Sequence, residues 1–377
     1  MAGFKDFMKR KNIEFSGKRY GIDALGAMAQ GLFCSLLIGT IFKTLGSYVF
    51  LAIAADHPGT GLAGAFTVIG QALVDIAGFA SAMAGPAMAV AIGFALKAPA
   101  MVLFSLAPVG YATNSLGGAG GPLAVLIVAI VAAEFGKAVS KETKVDILVT
   151  PSVTIIVGGV LAMLIAAPIG TAAGWVGDLI KWATVLHPFV MGIIVSVVVG
   201  LALTLPISSA AICAAFALTG LAGGAAVAGC CAQMVGFAVM SFRENRWGGL
   251  VSQGLGTSML QMGNIVKNPR IWIPPTLASA ITGPIATCLF RLEMNGAPVN
   301  SGMGTCGLCG PIGVITGWAA DTAEGLRAAV TAMDWVGLLL IAIVLPAVLT
   351  PLIALPLRKA GWIKENEIGR ASCRERV

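Results

Sequence analysis

Long apolar runs, each about the length of a membrane crossing, follow one another through this chain without alternating. Residues 24–54, 63–95, 147–167, 225–242 and 335–357 are the clearest. Lipid offers no hydrogen bonds, so a chain that crosses it must satisfy its backbone as helices or as a closed barrel. A barrel would show alternating segments of about ten residues, and none is present. The expected fold is therefore all-α: a polytopic helical membrane protein of about ten transmembrane helices with re-entrant hairpins. Composition agrees, because only 11% of residues are charged and 57% are hydrophobic, against about 25% charged in soluble domains. The 49 glycines suit helices that approach closely in lipid. The eight cysteines (34, 213, 230, 231, 288, 306, 309 and 373) fall mostly inside apolar runs and read as small buried hydrophobes, not as a disulfide framework.

Charge sets the expected orientation. In residues 1–22, Lys5, Lys9, Arg10, Lys11, Lys18 and Arg19 outnumber Asp6 and Glu14. The following apolar run is too long for a cleavable signal peptide. By the positive-inside rule this end faces the cytoplasm of an inner (plasma) membrane protein. Anionic lipid accounts for the basic cluster more simply than nucleic acid does, and Phe4, Phe7 and Met8 suit a segment lying on the membrane surface. The basic loop 137–144, the turn Arg243 to Arg246, and Arg358 with Lys359 are expected on the same side, so both termini are cytoplasmic. Asp56, His57 and Pro58 form an outer loop. Residues 63–95 contain Gly85-Pro86 and predict a broken or tilted helix. Residues 175–182 read as an interfacial turn, 190–205, 207–221 and 225–242 as three further spans, and 277–290 as another. The end of the chain, residues 367–377, matches the translation of a common sequencing adapter and is set aside from fold reasoning.

One stretch departs from plain membrane spans. Residues 254–281, GLGTSMLQMGNIVKNPRIWIPPTLASAI, hold three Gly, three Pro, several amides and hydroxyls and two cations between apolar flanks. Polar, broken backbone at membrane depth is tolerated where it lines a cavity or is buried in protein, and secondary transporters build substrate sites this way. A surface loop is the alternative, but Met259, Leu260, Ile265, Val266, Ile271, Trp272 and Ile273 argue against it. Leu205-Pro206-Ile207-Ser208-Ser209 echoes Pro274-Pro275-Thr276-Leu277-Ala278-Ser279: proline suits the first helical position and small hydroxyls can cap free amides. The glycine-rich run from 301 to 313, with Cys306 and Cys309, lacks the second cysteine pair of a zinc site. It predicts a second re-entrant hairpin.

The stretch also resembles the substrate-site hairpin of membrane IIC subunits of the bacterial sugar phosphotransferase system, in the glucose superfamily, and most closely the stand-alone perfringolysin-regulator-like branch. That pattern runs Gly-Ile-Asn-Glu-Pro, then about ten residues to Asn-Pro, then Ile-Pro-x-x-Leu-Ala. Gly254 to Ser258, Asn268-Pro269 and Ile273 to Ala278 stand in these places. Thr257 takes the position of the sugar-binding Glu, and Ser258 that of the Pro. His187 follows Trp182 by five residues, the spacing that places a sugar-contacting His in those subunits.

The resemblance implies a sugar transporter subunit that moves a sugar inward for phosphorylation by soluble IIA and IIB phosphocarriers, as a homodimer and without a cofactor. The expected substrate-binding set is His187, Gln233, Gly256, Thr257, Ser258, Gln261, Asn264 and Asn268. Residues 23–182 would form the scaffold and dimer half, 183–358 the substrate half, and 359–377 a tail. No polar segment is long enough to be a phosphocarrier domain, so any phosphotransferase activity needs a partner docking near Lys141, Lys144, Arg243 and Arg246. Two other classes remain open: a membrane sensor of the same fold that binds a solute without transport, which the loss of Glu at 257 favours, and an ion-coupled carrier using Asp75. Carboxylates in apolar surroundings point to function by default, but Glu134 has Lys137 three residues on, and a snorkelling ion pair explains it.

Overall fold

The computed structural model describes residues 2–56, 61–326 and 329–369. The expected outer loop at His57 and the cysteine at 373 lie outside the described residues. The described chain is helical throughout; among the described residues the β-pairing is a single antiparallel bridge between Gly220 and Met294.

A short basic helix, α1 (Ala2–Arg10), leads into α2 (Arg19–Ala55). Next come α3 (Gly61–Ala82), α4 (Ala84–Ala95), α5 (Ala100–Gly117) and α6 (Gly121–Val139). The middle of the chain is α7 (Asp146–Ala183), α8 (Pro188–Thr204), the short α9 (Ser209–Ala215) and α10 (Gly220–Met240). The last part holds α11 (Phe242–Val251), α12 (Met262–Lys267), α13 (Ile273–Pro284), α14 (Cys309–Ala323) and α15 (Ala332–Lys359). Among the described residues, six helical runs are long and apolar enough to cross a membrane, and α4 and α8 are shorter apolar helices. One of the six, Ala100–Val139, is α5 and α6 joined at Gly118, whose φ of 49° turns the chain. The expected ten crossings are thus supported only roughly.

Several boundaries differ from the sequence reading, each for a local reason. The expected break near Gly85-Pro86 falls at Met83 (φ −88°, ψ 9°), because Pro86 has no N–H to give the Ala82 carbonyl four residues back and its ring crowds that carbonyl. The expected interfacial turn at 175–182 is the end of the single 38-residue helix α7. At 1.5 Å per residue it is about 57 Å long, beyond the ~30 Å of hydrocarbon, so it tilts or projects. Residues 207–221 are not a span: α9 has seven residues, and the chain then breaks at Ala217, with φ of 47°.

The contacts divide the chain into two compact units. The first comprises residues 1–35, 82–174 and 206–208. Its helices touch through glycine. A Cβ on Gly85 would lie 2.3 Å from the Gly110 carbonyl oxygen, and one on Gly110 2.4 Å from that of Gly85, so α4 and α5 meet backbone to backbone. Beside them Lys137 Nζ lies 2.7 Å from Glu134 Oε2, with side chains 1% and 9% exposed. The pair is buried and does not snorkel outward. Tyr20 donates to Glu134 at 3.1 Å, while Lys137 and Arg19 donate to the Leu96 carbonyl at 3.1 and 2.6 Å. That carbonyl ends α4, where the helix leaves acceptors free for cations.

The second unit comprises residues 36–81, 175–205 and 209–377. Its centre is α10, in which residues 222–238 and Met240 are all buried. A Cβ on Gly229 would fall 1.8 Å from Ser196 O of α8, and one on Gly236 2.5 Å from Thr350 Oγ1 of α15. Where α8 crosses α13, a Cβ on Gly283 would fall 2.1 Å from Gly192 O. Close approach of this kind replaces the hydrophobic effect as the source of helix association in lipid. Two irregular segments, 252–272 and 296–308, are held against this helix core. In the second, Gly304 has φ of 51° and its missing Cβ would meet the Cys230 carbonyl carbon at 2.7 Å. Ser301 donates to Leu218 O at 2.6 Å and Ser209 to Gly302 O at 2.7 Å, so the short α9 and this broken run satisfy each other's backbone.

Candidate functional site

The interrupted stretch begins where α11 unwinds over Ser252–Gly256. Thr257 is extended (φ −158°, ψ 143°), and its hydroxyl accepts from Met259 N, starting the helical turn Ser258–Gln261. After α12, Asn268 is extended and its side-chain oxygen accepts from Arg270 N, starting the turn Pro269–Trp272. Helix α13 follows with Pro274 and Pro275 buried in its first turn. The helix start expected at Pro274 is present, and both caps follow from side chains that favour turns and free amides over helix interiors.

Four polar side chains from four elements gather around Gln233 in the middle of α10. Trp272 Nε1 donates to Gln233 Oε1 at 2.9 Å, which fixes the amide's orientation. Gln233 Nε2 donates to Thr276 Oγ1 at 3.4 Å, and Thr276 donates to Trp272 O at 2.7 Å. Thr204, the last residue of α8, lies 3.3 Å from Gln233 Oε1 and 2.7 Å from Ser258 Oγ. Gln233 Oε1 only accepts, so the protons run from Ser258 to Thr204 to Gln233. Gln233, Thr204 and Ser258 are fully buried. The Gln233 amide carries two protons and the Thr276 contact takes one. The cluster is thus a set of neutral donors and acceptors gathered at one point of the core and largely bonded to one another.

The other predicted residues lie elsewhere. Gln261 and Asn264 are buried in a second amide chain. Gln253 donates to Ser241 Oγ at 2.9 Å, Gln261 to Gln253 Oε1 at 3.0 Å, and Asn264 to Gln261 Oε1 at 2.8 Å. Gln261 and Asn264 also donate to the backbone carbonyls of residues 368 and 369. Asn268 donates to Trp362 O at 2.8 Å, and the Arg270 guanidinium stacks on the Trp362 ring at 5.1 Å. Asn268 and Arg270 thus tie the hairpin to Trp362, while the carbonyls at 368 and 369 belong to the adapter-like end of the chain. Gly256 is buried beside Thr257, whose hydroxyl is engaged in its cap. His187 is exposed and caps α8 by accepting from Phe189 N at 3.4 Å. Seventeen residues of α8, about 25 Å, separate it from Thr204, so it is not brought to Gln233. Asp75 is paired on its own helix, accepting from Gln71 at 2.9 Å. Cys306 is buried, and Cys309 Sγ lies 3.2 Å from Thr44 Oγ1.

Thr204, Trp272 and Thr276 were not among the expected site residues. Thr276 had a usable signal, a hydroxyl in the first turn after paired prolines. Thr204 had only its place before Leu205-Pro206, and an indole inside an apolar run reads as packing.

No curated protein and no solved structure matches the chain. Residues 22–369 match the family described as "Phosphotransferase system, EIIC". With nearly its whole length matched and an all-helical, membrane-spanning fold, the chain belongs to the EIIC family of phosphotransferase-system membrane subunits.

Proposed function

We propose that this EIIC subunit binds a sugar at the Gln233 cluster and presents it for phosphorylation by a IIB partner on the cytoplasmic side. The observation that supports this most is the convergence of Gln233, Thr204, Ser258, Trp272 and Thr276 at the broken hairpin. Polyol recognition needs buried neutral donors and acceptors matched one by one, beside an aromatic surface. All five lie within residues 183–358, which suits a substrate-carrying C-terminal half, with 23–182 as scaffold and homodimer contact. The partner would dock on the cytoplasmic face, where the exposed basic residues are Lys141 and Lys144 in the first unit and Arg243 and Arg246 in the second.

Thr257 sets the expected affinity. A carboxylate there would make charge-assisted bonds worth roughly 1.5–3 kcal/mol, against about 1 kcal/mol for a neutral bond. The parent therefore binds sugar about tenfold or more weakly than a Glu-bearing relative. Calorimetry with hexoses and pentoses on the parent and on Thr257→Glu tests this: the variant is expected to bind more tightly. Tight binding by the parent that is lost in Thr257→Glu would overturn the reading.

Within each unit the expected cytoplasmic segments are joined. Arg10 and Lys11 pair with Glu142 at 2.8 and 2.5 Å, and Arg358 pairs with Glu244 at 3.1 Å. Each unit thus keeps its own basic segments together, and the positive-inside rule assigns those segments to the cytoplasm in both, so residues 1–22 and 358–366 are expected inside. Single cysteines in each segment, in a background without reactive cysteine, are expected to react with an impermeant thiol reagent only in inside-out vesicles. Labelling of one from each face would sink the orientation.

A further inference from the structure

In the first unit, α1, the turn after α4 and the loop after α6 enclose a concavity of about 370 Å³ lined by Arg10, Lys11, Lys97, Lys137, Lys141 and Glu142, among others. Five of these six side chains are cationic and one is anionic. Lys137 is neutralised from beneath by Glu134. Glu142 answers Arg10 and Lys11, and the Lys11 ammonium, hydrogen-bonded to it, holds its carboxyl below the usual carboxylate range. Glu142 is thus an ionised internal occupant of a site that it does not balance. Lys97 and Lys141 are exposed, and although Asp146 accepts from Lys141 N at 2.7 Å and partly answers its charge, the four cations Arg10, Lys11, Lys97 and Lys141 outnumber Glu142 and Asp146. Lys97 and Lys141 both stand at positive φ, 55° and 62°, a conformation uncommon in residues other than glycine.

We propose that this concavity is a binding site for a phosphate oxyanion, with the headgroup of an anionic membrane lipid as the source the surroundings favour. The Arg10 and Lys11 cations sit over the Phe7 ring at 5.6 and 5.8 Å, so α1 carries its apolar side beside the site. Phe15, on the same segment, is 78% exposed. Basic side chains beside an apolar, surface-lying helix are the pattern that captures anionic headgroups. Lysines present point charges to a phosphate, and Arg10 adds a planar fork that can take two oxygens. A zwitterionic headgroup would bring its own cation against the lysines and be disfavoured.

The test uses the full chain purified in detergent, with thermal unfolding followed while short-chain phosphatidylglycerol, short-chain phosphatidylcholine or inorganic phosphate is added. Phosphatidylglycerol is expected to raise the midpoint and phosphatidylcholine to leave it unchanged. In the double variant Lys97→Gln, Lys141→Gln, which leaves the Arg10, Lys11 and Glu142 pairs intact, the half-saturating concentration should rise about fivefold or more. In Glu142→Gln, which removes the competing carboxylate, it should fall severalfold. Stabilisation by inorganic phosphate equal to that by phosphatidylglycerol upholds the oxyanion site with free phosphate as its source. Equal responses to both lipids with none to phosphate, or a double variant that responds as the parent does, would overturn it.

Discussion

Gln233→Leu is expected to weaken sugar binding about fivefold or more, through loss of the hydrogen bond from its one free amide proton at about 1 kcal/mol. The side chains are similar in size, so the core of α10 stays filled, but the amide that organises the cluster disappears. Trp272 Nε1 loses its acceptor at 2.9 Å and Thr204 its acceptor at 3.3 Å. Leaving those donors unpaired also destabilises the protein, by about 1–3 kcal/mol for a fully buried group. Binding is therefore measured on variant that elutes as a single species, beside Gln233→Glu, which keeps both acceptor contacts. The expected order of affinity is parent, then Glu, then Leu. The same order should hold for uptake into proteoliposomes supplied with a phosphorylated IIB partner. Gln233→Leu that binds within twofold of the parent would remove Gln233 from the site. Uptake driven by an ion gradient without the partner would move the function to a carrier class.

A matched pair of glycine substitutions should have opposite signs. Gly229→Ala places a methyl 1.8 Å from Ser196 O and 2.5 Å from Ser196 C. Both are backbone atoms of a helix itself held by α13, so no rotamer change relieves the overlap. Separating α8 from α10 also strains the hydrogen bond of Ser196 to Ser279 O at 2.8 Å and that of Ser279 to Gly229 O at 3.3 Å. Overpacking against backbone is expected to destabilise by about 3 kcal/mol. Gly159→Ala, on α7, meets nothing within 4 Å and should stabilise by up to about 1 kcal/mol through helix propensity alone. Thermal unfolding in one detergent, followed by size-exclusion, reads both. Equal midpoints for the two variants would show that the close crossing of α8 and α10 does not hold the second unit together.

The membrane-spanning class was legible because it depends on composition and run length alone. A 20-residue apolar run with few charges has one stable arrangement in lipid. The break at 254–276 was legible for a related reason: three glycines, three prolines and several amides crowded into one short stretch leave more polar groups than a lipid-facing helix can satisfy. Its caps at Thr257 and Asn268 are local, formed with an amide two residues on, so they lie within reach of sequence reasoning.

Tertiary structure decided which polar residues share a site. Gln261, Asn264 and Asn268 stand in the same stretch as Ser258, yet the first two join Gln253 in a separate amide chain and the third binds Trp362 O, while Ser258 meets Thr204 and, through it, Gln233 from two other helices. Which way an amide faces depends on where α8 and α10 cross, and that depends on the glycine contacts at 192, 200, 229 and 283. His187 shows the same limit. Its spacing from Trp182 is a one-dimensional fact, but α8 carries Thr204 about 25 Å away from it. Residues 207–221 failed as a span because apolar content says nothing of continuity, and the turn at Ala217 is held by Ser301 donating to Leu218 O, 83 residues apart. Sequence by itself determined which segments avoid water and which cannot be plain helices, since both follow from side-chain and backbone chemistry at each position. Only the packed structure decided which broken segments meet and which polar groups they bury together, because those choices rest on close backbone contacts between residues far apart in the chain.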